Sequence, residues 1–390
     1  MITKSSTEIG LARRFSHALP QLKAPGWAVL CLCFLIAAGA SAQQPGPEGI
    51  VDNKKPTFTT IDAVGAGNGA YQGTYARSVE AGFVTGGYVD AGNVNHGFVC
   101  TAPCSTITTI DIPGAGAGAS QGTSPVSVNS TGATTGWFTD ASSVYHGFVC
   151  AASGAVITFD APGAGSGANQ GTNAQSINTA GTVAGFYSDA SDVVYGFVCT
   201  DPCKKVTSFD PAGSIGTSAE SINVAGAITG SYLDASFVDH GFMCTAPCTT
   251  ISSFDAPGAT VTQPESINAA GIIAGFYADA NNVHHGFLCA ASCSTITTFD
   301  APGAGTGAGQ GTTAFSIDTA GRIAGFYYDA SNVTHGFVRA ASGAVATFNA
   351  PGAGSGAGQG TVAYGINKEG AIAGLYVDAS NVLHGFLLTP

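Results

Sequence analysis

Six aspartate–histidine pairs recur along the 390-residue chain with the same spacing of six positions: Asp90/His96, Asp140/His146, Asp234/His240, Asp279/His285, Asp329/His335 and Asp378/His384. An imidazole beside a carboxylate can relay protons, ligate a metal, or simply hold a hydrogen bond. Ala-Ser-Asn-Val or a variant separates the two residues, which reads as a tight hairpin loop whose flanking residues face each other across the strands. The imidazole N–H then donates to the carboxylate and pins the hairpin. Asp189/Tyr195 fits the same register, because a phenol can donate the same bond. The sharper alternative is a rim of metal ligands at His96, His146, His240, His285, His335 and His384. Catalytic sites need asymmetry, so six near-identical pairs favour architecture.

A second acidic series, Asp62, Asp111, Asp160, Asp210, Asp255 and Asp300, ends a Thr-rich segment before Ala-Pro-Gly or a variant, with Asn349 replacing it once. Side-chain capping of a turn explains the interchange, since Asp and Asn both carry an oxygen that can accept from the backbone two residues on. No cofactor is expected. Calcium is an ion that the acidic chain leaves open, although no dense carboxylate loop of the EF-hand type is present. Glu220 and Glu265 break the regularity, occupying one position just before Ser-Ile-Asn in two copies only. Beneath a lowered rim, two such carboxylates would suit glycoside hydrolysis or cation binding; the plainer reading is solvated loop charge. Arg77, Trp137 and Arg322 are single departures without an evident pattern.

Eight cysteines form four C-x3-C pairs: Cys100/Cys104, Cys199/Cys203, Cys244/Cys248 and Cys289/Cys293. In an exported chain the natural reading is a disulfide across the turn. Two copies keep the turn as Ala-Ala-Ser-Gly, so the clamp is optional. Cys150 has lost its partner to Gly154 and is expected as a free or intermolecular thiol.

The elements that position these residues follow from self-similarity. His-Gly-Phe, with Tyr195-Gly-Phe once, recurs at spacings of 50, 49, 45, 45, 50 and 49 from His96 to His384. Seven copies run from about Phe58 to Leu388. Each holds four short runs rich in β-branched and aromatic residues, punctuated by Gly, Pro, Asn and Asp. Four strands per ~48 residues, seven times, is the arithmetic of an all-β, seven-bladed β-propeller over residues 57–390. A parallel β-solenoid is the alternative. Ile323–Tyr327 has no polar face and should be covered on both sides. The segment from Asp210 to Ser221, like that from Asp255 to Ser266, is five residues shorter than its counterparts. A stretch that tolerates this deletion is surface decoration.

The stretch Ser-Ile-Asn-x-Ala-Gly-x-Ile-Ala-Gly-Phe-Tyr followed by His-Gly-Phe resembles the bacterial extracellular repeats called the HAF family. Ile177, Asn178, Gly181, Val183 and Gly185 match, as do Ile267, Asn268, Gly271, Ile273 and Gly275. This chain departs by carrying Gly after His and Asp-Ala-Pro-Gly-Ala-Gly in place of a Leu-Gly-rich segment. The resemblance implies a secreted bacterial repeat protein and carries no catalytic residue with it.

Composition agrees with export. Arg13, Arg14 and Lys23 precede an apolar run, and Ala40-Ser41-Ala42 forms a small-x-small cleavage site, the pattern of a signal peptide over residues 1–42. An uncleaved anchor is the competitor, but the run falls short of the ~20 residues a span needs. Residues 43–56 form a short leader. Cleavage would leave 8 basic and 23 acidic residues, a formal charge of −15. That sign disfavours nucleic acid and anionic membrane. The Gly-Ala-Gly loops lack the Lys-Ser/Thr and the βαβ context of a phosphate cradle. The expectation is a secreted or extracellular monomer, with the periplasm as alternative location. It would act as a non-enzymatic binding or surface-interaction scaffold for a glycan or protein. The alternative is a carbohydrate-active or lyase-type enzyme sited at the two short-loop copies.

Overall fold

The computed structural model describes residues 56–290 and 293–390. The expected signal segment 1–42 and leader residues 43–55 lie outside the described residues.

The described residues form 28 strands, numbered β1–β28 along the chain, and no helix. After β1 (Thr57–Ile61), the strands β2 (Gly73–Glu80), β3 (Phe83–Val89), β4 (Asn95–Thr101) and β5 (Ile107–Ile110) pair in sequence as an antiparallel meander. The pattern restarts at β6 (Gly122–Val128), β10 (Gly171–Ile177), β14 (Ser214–Ile222), β18 (Val261–Ile267) and β22 (Gly311–Ile317). The last meander is β26 (Gly360–Ile366), β27 (Ile372–Val377) and β28 (Leu383–Thr389), and its fourth strand is β1, in register from Thr57↔Thr389 to Ile61↔Gly385. Twenty-eight strands fit seven four-stranded units, one of them made from both ends of the described chain. Antiparallel meanders exclude the parallel solenoid.

The Thr-rich strand that opens each sequence copy is thus the last and outermost strand of a structural unit. A cyclic repeat has no start, so its phase is invisible in the sequence.

The first strand of each meander packs against the first strand of the next: β2 on β6, then β10, β14, β18, β22 and β26, and β26 returns to β2. These strands therefore ring a central axis. Serine hydroxyls stitch the ring. Ser78 Oγ accepts from the Val128 N–H at 3.3 Å, and Ser127, Ser176, Ser221, Ser266 and Ser316 do the same for the next strand at 3.2–3.4 Å. Gly365 holds the corresponding place at the seventh junction, so that bond is missing there.

The core lies between neighbouring units. The Phe of every His-Gly-Phe or Tyr-Gly-Phe is buried: Phe98, Phe148, Phe197, Phe242, Phe287, Phe337 and Phe386. Burial of one such ring stabilises the fold by about 1.5–3 kcal/mol. The strand Ile323–Tyr328 is largely buried, as its wholly apolar pattern requires.

Candidate functional site

Polar side chains collect in two places, the rim carrying the Asp–His hairpins and the axis ringed by the first strands.

At the rim, the two aspartate series exchange the roles expected of them. Asp90 Oδ1 accepts from the Gly92 and Val94 N–H groups at 2.8 Å each, so the hairpin aspartate is the turn cap. Asp140, Asp189, Asp234, Asp279, Asp329 and Asp378 repeat the pattern. The histidine bonds the other series. His96 Nδ1 lies 3.0 Å from Asp111, and His146, His240, His285 and His384 stand 2.9 Å from Asp160, Asp255, Asp300 and Asp62. Asn349 serves His335 at 2.8 Å, because only an acceptor oxygen is needed. The hairpin carboxylate is the secondary partner, 3.2–3.9 Å from Nε2. The reason is strand order: the imidazole reaches the end of the adjacent outermost strand, while its own hairpin aspartate is occupied by backbone donors.

Each imidazole also stacks on a cross-strand aromatic ring, as in Tyr88–His96 at 4.8 Å and Tyr376–His384 at 4.8 Å, and Tyr187–Tyr195 keeps the arrangement where His is replaced. The backbone N–H groups of Val94, Val238 and Val283 are the leading cause holding Asp90, Asp234 and Asp279 below the usual carboxylate range. Burial pulls the His240 imidazole down, but its bonds to Asp255 and Asp234 outweigh this and its pKa lies above the usual value. Among the described residues no group of three or more His, Cys, Asp or Glu is arranged to hold a metal ion. The rim histidines are committed to local bonds, one set per unit.

The four cysteine pairs stand at bonding distance across their turns, with Cα–Cα separations of 5.1, 4.7, 5.1 and 4.8 Å for Cys100–Cys104, Cys199–Cys203, Cys244–Cys248 and Cys289–Cys293. Cys150 is free and buried, its Sγ directed at the Ala151 carbonyl, and burial pushes the thiol up. A buried, protonated thiol is not placed to join a second chain, which corrects the intermolecular role expected for it.

At the axis, every first strand carries a β-bulge at one equivalent position, where the extra residue is Arg77, Val126, Gln175, Glu220, Glu265, Phe315 or Tyr364, and β14 has a second shift at Ile215. A Gly on the facing strand makes room. A Cβ on Gly185 would run into the Asn173 carbonyl beside the bulge at Gln175. Bulge residues of neighbouring units meet, which places them in one ring. The Arg77 guanidinium lies 5.0 Å over the Tyr364 ring, and Phe315 meets Tyr364 edge-on at 5.1 Å. Glu220 accepts from Ser218 Oγ, and Ser231 Oγ donates to Gln263 Oε1 at 3.2 Å. Glu265 is 9% exposed. The two glutamates therefore stand on the strands around the axis and not on the shortened loops, which corrects their expected setting in a loop notch.

In the sequence Arg77 is a single departure, and Val126, Gln175, Phe315 and Tyr364 belong to no recurring motif. A signal existed in the column before Ser-Ile-Asn, which differs in nearly every copy of an otherwise uniform repeat. Attention to recurring residues passes over it.

No protein-family model matches the sequence, and no curated protein matches it. Solved structures do. The β-propeller domain of the Trilobed protease from Pyrococcus furiosus, described as having an open velcro topology, superposes with a TM-score of 0.54 at 9% identity, covering 82% of this chain and 95% of that one. The BP39L lectin from Burkholderia pseudomallei superposes with a TM-score of 0.51 at 8% identity, covering 83% of this chain and 99% of that one. At such identities the similarity speaks for the fold alone: the chain has a β-propeller fold.

Proposed function

We propose that this protein is a secreted, seven-bladed β-propeller of the HAF-like repeat type that acts as a non-enzymatic binding scaffold for an extracellular ligand. One observation carries this reading. The polar columns that recur from blade to blade make the same local bonds each time, whereas the column before Ser-Ile-Asn changes from blade to blade and lies on the strands that ring the axis. The seven-blade count rests on the 28 strands and on the closed ring of first strands. Four cysteine pairs at disulfide distance fit an oxidising compartment. No helix among the described residues is long and apolar enough to cross a membrane.

A similar fold in a protein named as a lectin supports a glycan as one ligand class. The test is a glycan array, with and without divalent cations, run beside a hydrolase and lyase panel on the same protein. Saturable binding without turnover is expected. Turnover abolished by Glu220→Gln or Glu265→Gln would replace the scaffold reading with the enzymatic one.

A further inference from the structure

The space beside the turn after each His-Gly-Phe strand is filled in different ways, and in one blade it is left open. In four blades the second cysteine of the C-x3-C pair packs into the core there, as Cys104, Cys203, Cys248 and Cys293. In the sixth blade Arg339 replaces the first cysteine, and its guanidinium comes 3.4 Å from where a Cβ on Gly343 would stand. In the second blade Cys150 ends β8 (Tyr145–Cys150), Gly154 stands where the partner cysteine would be, and a Cβ on Gly154 would meet nothing within 4 Å. The open space joins a groove of about 550 Å³ between the first blade (β2–β5) and the second, lined by Phe83, Val99, Thr106 and Ile110 on one side and by Thr134 and Cys150 on the other. A second departure sits opposite the first. Thr134 opens β7 (Thr134–Thr139) and pairs with Cys150 across the ladder. Its column reads Val84, Val183, Ile228, Ile273, Ile323 and Ile372 in the other blades. Thr134 is 1% exposed, and its Oγ1 has no hydrogen-bond partner. A buried hydroxyl without a partner destabilises a fold where valine or isoleucine would not. One blade therefore gives up both a filler and an apolar contact, and presents a thiol and a hydroxyl to the same groove.

We propose that Cys150 is a thiolation site: it takes up a small thiol as a mixed disulfide, whose outer half fills the space that a second cysteine fills in four other blades, with Thr134 Oγ1 bonded to the polar end of the adduct. The reaction is an exchange with a low-molecular-weight disulfide. The Cys150 sulfur, as thiolate, attacks one sulfur of that disulfide, a new S–S bond forms and the original one breaks. The released half leaves with the electron pair and takes up the proton that Cys150 gave up, so Cys150 is oxidised and the released half is reduced. Four cysteine pairs at bonding distance fit a compartment in which such small disulfides persist. Cys150 is 7% exposed, which admits a small thiol along the groove and not the cysteine of a second chain. Asp111 at the groove and the formal charge of −12 favour zwitterionic cysteine over the anionic tripeptide glutathione. Burial holds the thiol protonated, so the exchange is slow and its equilibrium is the quantity to read. The inference does not depend on the scaffold reading.

The test incubates the full chain to equilibrium with cystine or with glutathione disulfide, each at a fixed ratio to its own thiol, and reads the adduct by intact mass and peptide mapping. One adduct per chain is expected, at Cys150, and Cys150→Ser should remove it. Thr134→Val should lower the equilibrium constant for the cysteine adduct by about three- to tenfold, the worth of one hydrogen bond. The same substitution should leave alkylation of Cys150 by iodoacetamide unchanged, a readout that a merely disturbed core would move. Gly154→Cys should close an internal disulfide with Cys150 and abolish uptake. Cysteine suits that position, since Cys104, Cys203, Cys248 and Cys293 hold φ of 64°, 57°, 62° and 44° where Gly154 has 85°. Thermal unfolding of each variant controls for folding. An adduct at Cys150 that Thr134→Val weakens bears the inference out, and the larger equilibrium constant names the thiol. No adduct on the folded chain from either disulfide, or an adduct indifferent to Thr134→Val, overturns it. Glycan binding should be the same in all of these variants, so failure here would leave the scaffold reading standing.

Discussion

The rim and the axis are made from the same repeat, yet they use their polar residues in opposite ways. At the rim, six units spend one histidine and two carboxylates, or a carboxylate and an Asn, on the same local bonds and the same stacked ring, and the seventh keeps the stack as Tyr187–Tyr195 with Tyr195 bonded to its hairpin Asp189. Around the axis, seven equivalent positions hold an arginine, two glutamates, a glutamine, two aromatics and a valine. Uniformity at the rim follows from a bond that each unit must make to hold its hairpin and outer strand. Variety at the axis follows from a bulge whose side chain takes no part in any ladder. The lesson is that in a symmetric fold the recurring polar residue is the structural one, and the column that drifts is where copies of one repeat differ in chemistry.

This contrast can be broken by showing that rim substitutions alter binding, or that axial ones alter folding. The largest effect is expected in the core that both regions share: Phe197→Ala should destabilise by about 3–5 kcal/mol, read from denaturant midpoints, with the binding constant of the remaining folded protein unchanged. Removing the clamp with Cys199→Ser/Cys203→Ser closes no loop and should cost about 2 kcal/mol on the chain-entropy account. A loss of axial binding at equal folded fraction would contradict the separation of the two regions.

The rim pair His240–Asp255 gives a smaller, pH-dependent effect. The raised pKa of His240 means its stabilisation is fully present below the ordinary histidine value near 6.5 and is lost as pH rises through the folded value. Asp234 behaves oppositely, contributing above the ordinary aspartate value and losing that contribution as pH falls through its depressed folded pKa. His240→Gln should therefore remove about 1 kcal/mol or less at pH 6 and less still at pH 8, since both partners are partly exposed. A change that grows with pH in urea titrations would refute this assignment.

Gly365→Ser should sharpen the comparison, because it restores the hydroxyl that stitches the other six junctions. The gain expected is about 0.5–1 kcal/mol in unfolding free energy, provided Arg77 and Ser78 yield to a Cβ about 3.3 Å away. The smallest effect belongs to Glu220→Gln/Glu265→Gln, whose stability should stay within about 0.5 kcal/mol of the parent chain. Marked destabilisation by that pair would make the axial carboxylates architectural.

Much of the fold was legible because strand length, turn residues and their sevenfold recurrence are local properties. The closure was less so. Which strand opens a unit depends on β1 meeting β28 about 320 residues away, and Asp62 bonding His384 belongs to the same splice. The recurrence of the hairpin histidines points to architecture, and the sequence suggests the nearer carboxylate as their partner. Strand order brought a different one closer, and the backbone N–H groups had already claimed the first. At the axis, Glu220 and Glu265 stood out by charge, while Arg77 and Tyr364, 287 positions apart, could be joined only by knowing that β26 packs on β2.

By itself, then, the sequence determined the kind of element, the number of them and the turns between them, since propensity and punctuation act over a few residues. The tertiary structure alone decided which side chains meet: it exchanged the roles of two aspartate series, buried Cys150, and gathered seven residues of six types around one axis. The physical reason is that hydrogen bonds and charge contacts depend on distance in space, and a ring brings distant copies of one column to within reach of each other.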